Sequence, residues 1–390
     1  MPRPLHVALL TDGIMPYVLG GIQRHSRMLV EHLTKQQIRV SLYHTAGAPD
    51  MADRARSLDD LPSFVRDLIH SELVPRPSAP WFPGHYVVDC ERYSRRLLSA
   101  FLKRQAVEPA DFIYAQGLTG LAFVRARKHR QDIPPVGVNA HGYEMYQACF
   151  GLRERLVQHL MRPQTRAVTL GADVLFCFSG KVREIVVDRI GTDPARIVVI
   201  PNGVDESWIA KDCSEPHHPR RFLFVGRFER RKGIPELHQA IRLLGKAGWT
   251  LDLVGPIPER YRVHDARVRY HGPISDSEML LQIYGSSDCM ICPSFAEGMP
   301  TVLIEAMAQG VMMIGTDVGA VSELITDKTG FLLARPEPRL IAAAMSSVID
   351  MPDDRLLSYK EACRQKACEY RWDRVTSRVL DAIQSMRAAR

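Results

Sequence analysis

The stretch EGMPTVLIEA, Glu297 to Ala306, sets two carboxylates eight positions apart with no ionisable residue between them. A strand ending near Pro293 would hand over to a loop carrying Glu297 and Gly298, and Pro300 suits the first turn of a following helix. The unpaired N–H groups and positive dipole end of such a helix start form an anion site. Glu305 falls a turn further in, among Leu303, Ile304, Ala306 and Met307. A buried carboxylate without donors is costly or takes up a proton, so Glu305 needs donors, and the vicinal hydroxyls of a ribose would supply two. Glu297, at the lip of the same helix, would accept from hydroxyls of a second group held before the dipole. The plainer alternative is one Glu on an exposed helical stripe and one in a loop. Paired carboxylates also serve glycoside hydrolysis when about 5–9.5 Å apart. Eight helical residues would span about 12 Å, which disfavours that chemistry if most of the interval is helical.

A second cluster lies upstream in FVGRFERRKGI, where a strand runs into a glycine turn and presents Arg227, Arg230, Arg231 and Lys232. Arg and Lys at a strand end suit a diphosphate, through bidentate and point-charge contacts respectively, against the alternative of a solvated charge run. Near the start, LLTDGIMPYVLGGIQRH offers a strand, a long loop and a helix opening at Gly20 and Gly21. Paired glycines let backbone approach a phosphate, but this is not a GxGxxG, so a dinucleotide site has little support. His141, in VGVNAHGYE, ends another strand; a lone His at such a place is more often structural.

These residues need a scaffold that brings strand ends together. Short β-branched runs alternate with longer amphipathic stretches, the pattern of parallel sheets wrapped by helices. HVALL, VSLYH, DFIYA, VGVNAH, VLFCFS and IVVIP form a first series; RFLFVG, TLDLVG, VRYHG, CMICPS, VMMIG and GFLL form a second. The economical reading of 390 residues is two doubly wound α/β domains, residues 1–205 and 221–370, joined by a linker at 206–220 and closed by a helix at 371–390. Ligands in such sheets bind at the carboxyl ends of strands, so two facing domains create a cleft.

Composition narrows the classes further. No run of some 18 apolar residues occurs, and Asp12 interrupts the opening hydrophobic stretch, so a soluble, cytoplasmic protein is expected. The eight Cys lack framework spacing and read as reduced thiols. Cys289 and Cys292 form a CxxC, but within a buried strand, which favours a core role over redox or metal chemistry. His217 and His218, in PHHP, likewise read as linker residues, since no partner ligands for a metal sit nearby. Net charge is +7, and residues 1–205 hold 26 Lys+Arg against 20 Asp+Glu, which suits an anionic partner. On ERYSRRLLSAFLKR, Arg92, Arg95, Arg96 and Lys103 share one helical face. That helix reads as an ordinary packed surface helix, with contact to an anionic membrane as its alternative. No aromatic-rich basic platform accompanies the charge, so nucleic-acid binding is not expected.

The GG loop at 20–21, His141 at a strand end, PNGVD at 201–205, GRFERRKG at 226–233, the EGMPTVLIEAMAQG block and Trp372 together resemble the retaining glycosyltransferases of family 4, which have the GT-B fold. The likeness covers essentially the whole chain, and the carboxylate block with Arg227 and Lys232 upstream is its specific part. The resemblance implies that Glu305 binds the ribose of a sugar nucleotide, UDP- or GDP-linked, and that Glu297 contacts donor-sugar hydroxyls. It implies that Arg227 and Lys232 neutralise the diphosphate, and that Gly298, Met299 and Thr301 face sugar and phosphate through the backbone. Gly20 and Gly21 would close on the phosphates from the opposite domain, His141 would lie beside the reacting carbon, and main chain from Gly272 to Ile274 would read the base. Two departures stand out: GPIPER lacks the second glycine often found there, and Met299 and Thr301 replace other small or apolar residues.

The implied reaction retains anomeric configuration by same-face attack, with basic residues rather than a metal stabilising the leaving phosphate. The acceptor would be a saccharide or a lipid-linked group, as in polysaccharide, lipopolysaccharide or glycolipid synthesis, with peripheral attachment to the inner face of a membrane as a variant. A nucleotide-sugar 2-epimerase of the same fold, which would need no acceptor, and a sugar-nucleotide sensor without turnover are the rivals.

Overall fold

The computed structural model describes residues 3–15, 18, 20–45, 61–77, 82, 84–245 and 247–388, so part of the glycine-bearing loop before Gly20 lies outside the described residues. Among the described residues two all-parallel sheets form. The first holds β1 His6–Leu10, β2 Arg39–His44, β3 Ile69–Leu73, β4 Phe112–Gln116, β5 Val136–Asn139, β6 Val174–Cys177 and β7 Ile197–Val199, in the order β3-β2-β1-β4-β5-β6-β7. The second holds β8 Arg220–Val225, β9 Trp249–Val254, β10 Val268–Gly272, β11 Cys289–Cys292, β12 Met312–Thr316 and β13 Gly330–Leu333, in the order β10-β9-β8-β11-β12-β13. Central strands such as β1, β4 and β11 are buried along their whole length, so they read as continuous apolar runs. β3, IHSEL, has no strand signal of that kind: it is an edge strand, half-buried, with a charge and a His among five residues.

Both sheets run outward from their first strand and then reverse past it, which puts a topological switch point between β1 and β4 and another between β8 and β11. Such points open a crevice at the carboxyl ends of the strands. The GG loop follows β1, the FERRKG turn follows β8, and the EGMP loop follows β11. Three of the segments that carry the chemistry therefore sit at switch points, and His141 ends the neighbouring β5.

The linker is not free. His217 donates from its backbone N–H to the Asp288 carboxylate and meets it again through Nδ1 at 3.0 Å, while His218 pairs with Asp353. Asp288 and Lys360 are both fully buried and 3.3 Å apart, and Lys360 Nζ also donates to Ser214 Oγ. These partners lie 71 and 135 positions away, out of reach of any local sequence signal. The closing helix, Trp372–Ala388, packs on the helix Gly21–Lys35 of the first lobe. Val379, Leu380 and Ile383 join Val7, Leu9 and Leu29 in one core, so the end of the chain completes the lobe that its beginning forms.

Cys289 and Cys292 are buried and unbonded on β11, and burial pushes the Cys292 thiol up to about 11 and that of Cys289 upward too, a core role. The helix His85–Gln105 buries Tyr93, Leu97 and Phe101 and exposes Arg92, Arg95, Arg96 and Lys103, as an ordinary surface helix does. Among the described residues no helix is long and apolar enough to cross a membrane.

Candidate active site

The second-lobe half of the site is built on the loop after β11 and the helix Thr301–Ala308. That helix is apolar nearly all round and is buried from Leu303 to Ala308. Glu305 is buried within it, and its two oxygens are satisfied by protein: Oε1 accepts from Arg24 Nη1 at 2.5 Å, and Oε2 from the Tyr284 hydroxyl at 2.9 Å. Burial first, then the Glu305 charge, raises the Tyr284 hydroxyl far above its ordinary range, which keeps it a donor. The need of Glu305 for donors is real, but the donors include an arginine from the opposite lobe, 281 positions earlier. Because the helix begins only at Thr301, half of the interval from Glu297 to Glu305 is loop, so helical rise does not set the spacing of the two carboxylates. The partners separate the two groups instead, since Glu297 faces a different set of cations.

Glu297 is buried, with Oε1 accepting from Lys232 Nζ at 2.7 Å and from Ser294 Oγ at 2.7 Å, and Arg231 Nη1 stands 3.5 Å from Oε2. The basic cluster thus divides. The Lys232 side chain is 14% exposed and committed to Glu297, whereas that of Arg227 is 72% exposed and paired with Glu229 at 3.1 Å. Arg230 pairs with Glu236 and lies 4.7 Å over the rings of both Phe150 and Phe295, which meet edge to face. Thr301 heads the helix, half-buried. Met299 is buried against Asn202: its carbonyl accepts from Asn202 Nδ2 at 2.7 Å and its Sδ lies 3.2 Å from the Asn202 backbone nitrogen. The Gly272 carbonyl accepts from the Gly255 N–H, stitching the ends of β9 and β10, and Ile274 packs at the edge of the central core.

The first lobe supplies the facing wall. Gly20 and Gly21 stand at the start of the helix Gly21–Lys35, and nothing lies within 4 Å of where a Gly21 side chain would project. Arg24, one turn on, crosses to Glu305 with its guanidinium 4.8 Å over the Trp208 ring. The loop after β5 presses directly on the carboxylate loop. A Cβ on Gly298 would fall 2.0 Å from the His141 carbonyl oxygen, so only glycine allows this approach. Gln147 grips the same loop, donating to the Glu297 carbonyl at 2.7 Å and accepting from the Glu297 N–H at 3.1 Å.

His141 is held by its surroundings. Nε2 meets the Gln116 side-chain oxygen, and the ring lies 4.8 Å from that of His25, edge to face. Burial and the adjacent His25 hold His141 well below 6.5, and burial lowers His25 to about 4. Both rings are therefore neutral near pH 7, and His141 offers a hydrogen bond rather than a charge. His25 in turn touches Trp372 at 5.0 Å, and a Cβ on Gly203 would lie 2.5 Å from that indole. PNGVD and Trp372 belong together because the chain crosses back here: the Val204 N–H donates to the Tyr370 carbonyl, and the Val204 carbonyl accepts from the Trp372 N–H. Beside His141 a largely apolar cavity opens, lined among others by Asp12, Tyr93, Gln116, Tyr143 and Met161.

Glu305, Glu297, Lys232, His141, Gly298 and the Gly20–Gly21 turn are thus brought together where the lobes meet, while Arg227 is exposed and paired with Glu229. Arg24, Tyr284 and Gln147 escaped the sequence reading, and Asn202 entered it only within PNGVD, with no role of its own. Arg24 had a signal in its place one turn after the glycines.

The glycosyltransferase family 4 description matches residues 19–208, and that of the group 1 glycosyl transferases matches residues 219–351. Glycogen synthase of Mycobacterium tuberculosis is 26% identical over 218 residues, 53% of this chain and 52% of its own length, and the chain spans about half the length of the curated relatives it matches. Among solved structures, sucrose-phosphate synthase from Thermosynechococcus elongatus superposes with a TM-score of 0.77 at 19% identity, covering 99% of this chain and 100% of that one. The Anabaena protein HepE in complex with UDP and glucose gives a TM-score of 0.69 at 15% identity, covering 98% and 100%. The fold is therefore GT-B, two parallel-sheet lobes about a cleft. With the family matches falling on both lobes and their motifs meeting in that cleft, the chain belongs to the group 1 glycosyltransferases of family 4.

Proposed function

We propose that this chain moves a sugar from a UDP- or GDP-linked donor to an acceptor hydroxyl, with retention of configuration, in polysaccharide, lipopolysaccharide or glycolipid synthesis. The observation that carries the reading is the convergence of both switch-point loops on one cleft, with Arg24 and Glu305 touching across it. In this reading the ribose binds at Glu305, main chain from Gly272 to Ile274 holds the base, and Gly20 and Gly21 admit the diphosphate. Arg227, with Lys232 behind it, and the N-terminus of the helix Thr301–Ala308 stabilise the charge that grows on the leaving phosphate, the work a cation would otherwise do. Glu297, held by Lys232, and the backbone of Gly298, Met299 and Thr301 orient the donor sugar. His141 offers its hydrogen bond beside the anomeric carbon, and close apposition of the lobes at Gly298 keeps water from the reacting bond. The apolar cavity beside His141 suits an acceptor with an apolar portion, a saccharide or lipid-linked group. The basic excess of residues 1–205 supports peripheral contact with an anionic membrane.

A thermal-shift screen against UDP-, GDP- and dTDP-sugars tests the donor, since ligand at about 100 times its Kd adds about 2.7 kcal/mol of apparent stability. The binding donor is then incubated with and without acceptor glycans, following nucleotide release and the anomeric configuration by NMR. Acceptor-dependent release with a retained anomer is expected; inverted product, or epimerised donor without any acceptor, contradicts the reading.

A further inference from the structure

Arg24 and Glu305 form an ion pair between the lobes at the position the donor ribose would take. The carboxylate is buried, while the arginine that reaches it from the first lobe keeps 31% of its side chain exposed and so gives up only part of its solvation. The guanidinium rests over Trp208, while Tyr284 holds the other carboxylate oxygen from below. A ribose offering two hydroxyls to Glu305 therefore meets an oxygen already taken. Arg24 has somewhere to go. It stands on the first turn of the helix Gly21–Lys35, near the open space at Gly21. Glu305 lies four residues, about 6 Å of axial rise, from the N-terminus of its own helix, where a diphosphate would gather. An arginine that loses one carboxylate there gains a doubly charged, fork-matched ligand a short swing away.

We propose that Arg24 is a donor-sensing residue: the ribose hydroxyls displace its guanidinium from Glu305, and the freed guanidinium pairs with the donor diphosphate, tying the first lobe to the nucleotide. This rests on the glycosyltransferase reading of the cleft and adds to it a residue from the opposite lobe with two alternating partners. Before the donor arrives, Arg24 opposes the sugar part of the nucleotide; afterwards it holds the phosphate part.

Those two effects have opposite signs, and a purely structural bridge would show neither. The test is calorimetric titration of wild type and Arg24→Ala with uridine and UDP, and in parallel with guanosine and GDP. For the base that wild type accepts, Arg24→Ala should bind the nucleoside several-fold tighter and the nucleoside diphosphate about tenfold or more weaker. Arg24→Gln, which keeps a donor to Glu305 but not the charge, should lose diphosphate affinity without gaining nucleoside affinity, and it guards against an alanine variant that folds poorly. Parallel weakening of both ligands, parallel tightening of both, or no change in either overturns the proposal while leaving the donor site standing. Wild type that binds neither UDP nor GDP overturns the underlying reading, and the proposal with it.

Discussion

Glu297 and Glu305 belong to one loop-and-helix unit, yet their carboxylates are satisfied from different sides: Lys232 and Ser294 within the second lobe, Arg24 across the cleft. The same division separates the two cations that looked alike in GRFERRKG. Arg227→Ala removes an exposed side chain, so stability should stay within about 0.5 kcal/mol. Transfer should slow by about 10²-fold, as for loss of one donor to a developing anion. Lys232→Ala leaves the buried Glu297 short of a partner and should cost about 1–3 kcal/mol in urea unfolding as well as activity. Equal stability losses in the two variants would contradict this division. The buried imidazoles set a pH dependence. His25 is held at about 4 against an ordinary 6.5. Between those values the unfolded chain takes up a proton that the fold refuses, so stability is present above pH 6.5 and falls as pH drops toward 4. The slope is at most about 1.4 kcal/mol per pH unit for each such group, and His238, also near 4, adds in the same sense. Urea midpoints at pH 7, 6 and 5 should fall in order, and His25→Gln should flatten part of the decline; midpoints equal at pH 7 and 5 would refute it.

At the scale of elements, the loop after β5 and the loop after β11 form the closest approach of the lobes. Gly298→Ala puts a methyl group into the His141 carbonyl, and overpacking of this kind costs about 1–3 kcal/mol. Since the strain falls on apposition rather than on either sheet, kcat/KM should drop about tenfold or more, and hydrogen exchange should rise at Gln147 and its neighbours while β4 and β12 stay protected. Unchanged exchange in that loop with lost activity would point elsewhere. Most strands were legible because they are buried on both faces and read as apolar runs. β3 was not, because an edge strand with a half-buried face needs no such run. The helix Thr301–Ala308 was legible from Pro300 and its apolar content, and so was the loop before it that carries Glu297 and Gly298. The linker was legible as a connection but its anchors, Asp288 and Asp353, were not, because they arrive from distant parts of the second lobe.

Over the whole molecule, the chain ends where it began. Truncation before Trp372 would strip Val379, Leu380 and Ile383 from the core around β1 and remove the indole against Gly203 and His25. Hydrogen exchange should then rise in β1 and the helix Gly21–Lys35, more than 330 residues from the cut, while β8 and β11 stay protected. Uniform loss, or loss confined to the second lobe, would contradict that assignment. Residue types and spacing by themselves determined two parallel α/β lobes, the glycine turns, and a pair of carboxylates that had to find donors, because strand burial, helix starts and the desolvation of a charge are local necessities. Which donor each carboxylate found, how close the lobes stand, and which lobe the last helix completes were decided only in three dimensions. Those outcomes depend on side chains as much as 281 positions apart meeting at one buried carboxylate, and no local pattern encodes that meeting.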